Sequence, residues 1–155
     1  MTRVLLAVSV IVLLILCFLS IAEPMRFDRC VAEREKTVKQ YLLQIRTAET
    51  AYLKRNGSYT ASFDTLVKEK FLADSLRYIP YSGGKQFDLQ TATHVSTSGK
   101  SQPLMVCSAH YADYLNGLDE QEVASLTTQT NASGRFPGLK IGDITAPNGN
   151  VANWE

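Results

Sequence analysis

Histidine, cysteine and tryptophan are scarce: the 155 residues hold two, three and one of them. Two histidines, His94 and His110, leave little from which to build a His-rich metal site or a nucleophilic triad. Cys107 and His110 have the two-residue gap of a metal pair, yet no second pair stands in the chain. In a strand that spacing also points the two side chains to opposite faces. Three cysteines make no disulfide framework. Cys17 falls inside an apolar run, so Cys30 and Cys107 are either one bridge in an oxidising compartment or two small buried hydrophobes. An excess of one charge is also missing, since the formal net charge is +1. A general nucleic-acid-binding role needs a strong basic excess, so no nucleic-acid partner is expected. Gly83-Gly84-Lys85 and Ser98-Gly99-Lys100 lack the length and the following Ser or Thr of a phosphate loop and read as turns. The sequon Asn131-Ala132-Ser133 matters only in a eukaryotic secretory context. No set of titratable side chains converges in the sequence, and the chain reads as non-enzymatic.

What is present is a long apolar run. Residues 4–22, "VLLAVSVIVLLILCFLSIA", are 19 positions without a charge, about 28 Å as a helix and close to the hydrocarbon thickness of a bilayer. The reading is an N-terminal transmembrane anchor over 1–22, with a cleaved signal peptide as the alternative because Ser20-Ile21-Ala22 carries small residues at −3 and −1. The run exceeds the usual apolar region of a signal peptide, which favours the anchor. Residues 23–155 are then a single α+β domain; the positive-inside rule read literally puts it in the cytoplasm, whereas "MTR" before an apolar run resembles an export signal, and the reading chosen is a domain outside the cytoplasm, tethered as a single-pass protein to a bacterial inner membrane, with the lipid bilayer as one partner. Basic residues are uneven: residues 26–55 hold eight Lys and Arg against four Asp and Glu, residues 56–155 seven against ten.

After Pro24, residues 25–55 read as a second, amphipathic helix. Val31, Val38, Leu42, Ile45, Ala48 and Tyr52 recur at steps of three, four or seven, and most of the basic residues lie elsewhere around the helix. Asn56-Gly57 ends it, glycine supplying a left-handed position. Ser62 caps a short helix over 63–70 with Phe63, Leu66 and Val67 turned to the core. A short strand is expected over 77–81. "KQFDLQTATHV" and "QPLMVCSAH" alternate around Ser98-Gly99 as a hairpin, with Phe87 and Leu89 sharing a buried face with Leu104 and Val106. Asp119 with Glu122 marks a capped helix to about Thr128, Val123 and Leu126 facing inward. One more strand is expected over 139–144, after Gly and Pro punctuation.

Ile45, Ala48, Ala51, Tyr52, Asn56, Gly57, Tyr59, Thr60, Leu66 and Leu72 make up a pattern that resembles the type IV pilin and type II secretion major pseudopilin families, "I…A…AY…NG.YT…..L…..L". The ending "IGDITAPNGNVANWE" is similar to the acidic, glycine-containing tails of major pseudopilins. There is no prepilin-peptidase site, and "IPYSGGKQF" stands where those families carry a Pro-Trp-Gly element. The resemblance implies a pilin-like fold class: an N-terminal transmembrane helix continuing into an amphipathic helix packed on a small antiparallel sheet. It also implies a tail that binds calcium. Asp143, Asn148, Asn150 and Glu155 are the candidate metal residues, offering carboxylate and amide oxygens in a turning loop as Ca²⁺ requires. Against this stands a tail ordered without metal, by docking of Trp154 and its own hydrogen bonds. The functional expectation is a subunit or accessory of a bacterial envelope or secretion assembly, self-associating or meeting protein partners through its N-terminal helices. The alternative is a membrane-tethered binding module for a peptide, glycan or ion.

Overall fold

A computed structural model of the chain describes the backbone of all residues but Met1 and Ser98, and the side chains of all but residues 1–5, 7, 18–24 and 98. The first element, α1, is a single helix, Thr2–Asn56. The second segment expected over 25–55 is therefore not a separate helix. The chain divides into two compact units at a point inside α1, Met1–Glu33 and Arg34–Glu155, eleven residues beyond the 22/23 boundary read from the sequence.

The membrane anchor is corrected. Among the described residues no helix is long and apolar enough to cross a membrane. The apolar run does not stand as a span of its own: α1 carries it without a break into a stretch that is charged on almost every turn from Arg26 onward. The single-pass inner-membrane placement, and with it a domain held on the periplasmic side, loses its support for the same reason. Ser20-Ile21-Ala22, whose small residues suit cleavage, lie outside the described side chains.

The second unit is α+β, with a three-stranded antiparallel sheet in the order β1-β2-β3. Gly57 closes α1 at φ +77°, its N–H donating to Leu53 O at 2.8 Å. Helix α2, Phe63–Lys68, starts where Ser62 Oγ accepts from Thr65 N–H. The strand expected over 77–81 is absent as such: Asp74–Arg77 is a 3₁₀ turn and Tyr78 makes only an isolated bridge to Gln86. Strands β1, Asp88–Val95, and β2, Ser101–His110, form the hairpin. Its turn includes Ser98, outside the described residues, and is closed by Gly99 N–H donating to Ser96 O at 2.8 Å. Then follow α3, Tyr111–Tyr114, α4, Glu120–Ala132, and β3, Gly138–Gly142. Asp119 caps α4 by accepting from Gln121 and Glu122 N–H.

The strand register corrects the expected face. Leu89 stands opposite Cys107 and Thr91 opposite Met105, whereas Leu104 and Val106 face Ala92 and Gln90. Because side chains alternate along a strand, Leu89 shares its face with Met105, Cys107 and Ala109, joined across β3 by Leu139 and Ile141. That face is buried, as is the α1 stripe Val38, Leu42, Ile45 and Ala48. Together they form the core, with Phe63, Leu66 and Leu72 of the α2 region closing one end. Tyr52, placed in the core by its periodicity, is only half-buried and meets Phe71 edge-on at 5.7 Å.

Gly142 is fixed by two constraints at once. Its φ is +74°, and a Cβ built there would collide with the Met105 carbonyl oxygen. Gly142→Ala is therefore expected to cost more than about 3 kcal/mol, combining a left-handed penalty of about 1–2 kcal/mol with displacement of the central strand. Gly57, also left-handed but in open space, should cost only the first of these. Chemical denaturation of the two variants tests the difference; equal losses would show that the β2–β3 approach is not tight.

Candidate functional site

The four tail residues selected from the sequence do not converge on one point. Asp143 Oδ1 accepts from the N–H of Thr145 at 2.7 Å and from its hydroxyl, and Oδ2 lies 3.6 Å from Lys140 Nζ. These donors hold its carboxyl at about 2, below the ordinary range. Asn148 Oδ1 accepts from Asn150 N–H at 3.0 Å, a local turn. Asn150 and Glu155 are brought together, and what joins them is a side chain: Arg46. Its Nη1 donates to Asn150 O at 3.2 Å, and its guanidinium grips the Glu155 carboxylate with contacts of 3.1–3.2 Å. Arg46 also pulls the Glu155 carboxyl below its usual range. A cation thus already stands where the tail oxygens gather. Among the described residues no group of three or more His, Cys, Asp or Glu is placed to hold a metal ion.

The clamp extends both ways from Arg46. Asn150 Nδ2 donates to the Tyr59 hydroxyl at 2.7 Å, tying the tail to the loop after α1. Glu155 Oε2 accepts from Ala152 N–H at 3.1 Å. Trp154 is half-buried, with Lys39 Nζ 5.7 Å from the ring centre. A cleft of about 420 Å³ opens beside the clamp, with Lys54 and Thr50 of α1 on one wall and Gly149 and Asn150 on the other.

The residue that sequence reasoning missed is Glu49. It falls on the apolar stripe, four positions after Ile45, and is 0 % exposed. Oε2 accepts from Thr60 N–H at 3.1 Å, while Oε1 is buried without a partner. Among the described residues no cation offsets the burial, which raises the carboxyl from 4.5 to about 7 against the opposing pull of the Thr60 bond. From the sheet the Cys107 thiol faces it, itself pushed up by burial and then by the Glu49 charge. The signal was an acid at a stripe position, four residues after Ile45; its basic neighbour at helical spacing, Arg46, turns to the tail instead.

The remaining sequence candidates separate. Cys107 is buried while His110 is exposed and stacks at 4.7 Å on Phe136. Cys17, Cys30 and Cys107 are all free thiols. Lys85, in its glycine turn, pairs with Asp113 at 2.6 Å.

Glu49 gives the domain a defined pH dependence. The folded chain keeps its proton up to about 7 and a solvated chain loses it near 4.5. The folded state therefore binds more protons between those values, and stability falls as pH rises. The contribution is complete below about 4.5 and is lost through 7, an effect on the order of 3 kcal/mol. Asp143 and Glu155 act in the opposite sense on the acid side, where protonation removes their stabilisation. Glu49→Gln keeps the acceptor for Thr60 and carries no charge, so it should melt higher than the parent at about pH 8 and nearly alike at about pH 5. Parallel melting curves for parent and variant across that range would show that Glu49 is ionised at no cost in the fold.

Compared with known proteins, the chain matches no family model, no curated protein and no solved structure.

Proposed function

We propose that the chain is a non-enzymatic structural subunit or accessory of a secretion-type assembly, built on a pseudopilin-like domain and working by packing its N-terminal helix against similar helices. The observation that carries this is the run of large apolar side chains on α1: Leu6, Val8, Val10, Ile11, Val12, Leu13, Leu14, Ile15 and Leu16 are each 48–65 % exposed. A helix that is apolar all round does not persist facing water; it is covered by something. Packed against helices of the same kind it interdigitates side chains and loses little backbone freedom, since the helix is already continuous. The order of helix, short helix and antiparallel sheet, with a tail laid back on the domain, is in keeping with the pseudopilin resemblance of residues 45–72.

A second reading, a peptide-binding module, is favoured by a groove of about 590 Å³ between the α3 region and α4, with Leu115, Leu118, Val123 and Ala124 in its lining. Titration of the chain with apolar peptides, followed at α4 amides, separates the two readings.

Under the first reading the chain associates in a concentration-dependent way, and Leu13→Asp weakens that association by at least about tenfold, because it places a carboxylate inside an apolar contact. Sedimentation of parent and variant is the measurement. A parent that stays monomeric at every concentration, or a variant that associates as the parent does, removes the helix-packing reading.

A further inference from the structure

The two edges of the sheet are treated differently. The outer edge of β3 is fully occupied by the tail. Gly142 N–H donates to Val151 O at 3.1 Å and Asn153 N–H to Lys140 O at 3.0 Å. Lys140 N–H donates to Asn153 Oδ1 at 3.1 Å, and Asn153 Nδ2 to Gly138 O at 2.9 Å. Every outward position of β3 is thus paired, by backbone or by the one asparagine side chain that imitates it.

Nothing comparable lies along β1. It is the other edge of the sheet, and among the described residues nothing pairs with its far side. It also lacks the features that usually blunt an open edge: it has no proline, no lysine and no arginine, and its eight residues pair with β2 in unbroken register, without a bulge. Asp88 is its only acid, and Gln90, Thr93 and Val95 are exposed, Val95 at 64 %. An unbroken, nearly uncharged, eight-residue edge is a template for another strand.

We propose that this edge is a strand-addition surface whose occupant is the β1 strand of a second copy of the chain, paired antiparallel with Thr91 opposite itself. Charge and symmetry select the occupant. Two copies related by a two-fold axis perpendicular to the sheet keep their buried faces on the same side only if paired positions sum to an even number, so that one residue meets its own copy. With Thr91 on the axis, Asp88 of each copy stands opposite His94 of the other, Leu89 opposite Thr93, and Gln90 opposite Ala92. No like charges meet. The acid at the start of the strand meets the histidine near its end twice over, and Thr91 meets Thr91, one of the favoured cross-strand pairs. A parallel arrangement would set Asp88 beside Asp88. The continuous six-stranded sheet that results has each copy's tail covering an outer edge, so it is closed to further addition and stops at the dimer.

The test uses the full chain. Thr91→Cys should form a disulfide between two copies at position 91 under mild oxidation, because directly opposed residues on antiparallel strands bring Cα atoms to about 4.5–5.5 Å. Gln90→Cys, which faces Ala92, should not link to itself; peptide mapping distinguishes either from links at the native thiols. Amide exchange over 88–95 should slow as chain concentration rises. His94→Asp places acid opposite acid twice and should weaken the contact by about tenfold, and adding Asp88→Lys to it should restore pairing. Leu13→Asp, aimed at the helix contact, should leave all these readouts unchanged, so either association can fail without the other. The proposal is overturned by absence of the 91–91 link, or by β1 exchange that is the same at every concentration. It also falls if β1 gains protection only when a foreign extended peptide is added to a monomeric chain.

Discussion

The second unit depends on one face of α1 remaining against one face of a three-stranded sheet. Val38, Leu42 and Ile45 on the helix, with Met105, Cys107 and Ile141 on the strands, are the fully buried apolar centre. Three strands have two faces and two edges, and a single helix covers one face only. The rest of the unit completes what that leaves open. The α2 region closes one end, the α3–α4 segment follows the central strand, and the tail seals the β3 edge. Glu49 lies inside this interface, the one buried acid among the described residues. It exchanges some stability at neutral pH for a fixed contact between the helix and the backbone of Thr60, which sets where the chain leaves α1 and enters α2. A buried carboxyl without a cation is costly when ionised. The fold tolerates it because the group can hold its proton.

The tail explains its own composition. Asn, Gly and Asp in close order usually mark mobile turns or oxygen ligands, and a chain end usually frays. Here Asn153 takes the place of a strand residue, its side chain bonding both Gly138 and Lys140, while Glu155 returns to Arg46 on α1. The Arg46–Glu155 pair is partly exposed, so its direct Coulomb energy is small. Its importance is geometric: it fixes the end of the segment whose backbone caps the sheet. A guanidinium delivered by the helix does the same organising work that a bound cation would do for converging oxygens.

Local elements were legible in the sequence where one chemical rule decides them. Gly57 after Asn56, Ser62 ahead of α2, Asp119 ahead of α4 and the alternation on both arms of the hairpin each specify a boundary by a single donor, acceptor or φ value. Relations between elements were not legible. The face shared by Leu89 depends on register, and a shift by one residue exchanges Cys107 for Val106; nothing local to β2 chooses, because a central strand is apolar on both sides. The anchor was read from the uninterrupted hydropathy of residues 4–22, whereas α1 carries that run into a charged helix without a boundary. The metal residues were chosen for their oxygens, and the competing partner, Arg46, lies more than ninety positions upstream of the tail, beyond any spacing rule.

The contrast between the two sheet edges is also a contrast in sequence economy. Sealing β3 takes three residues, Val151, Ala152 and Asn153, one of them counting twice through its side chain. A comparable strap for β1 would have to come from the segment before it, where Ser82, Gly83 and Gly84 turn the chain back and only Tyr78 and Gln86 meet as a bridge. That bridge ends before Asp88, so the open edge begins where the local chain can no longer reach it. An edge left bare by simple chain geometry would be expected to carry a lysine, a proline or a bulge to keep other strands away. β1 carries none of them. With its one acid three residues before Thr91 and His94 three residues after it, in an unbroken register with β2, the strand has the pattern that self-pairing requires.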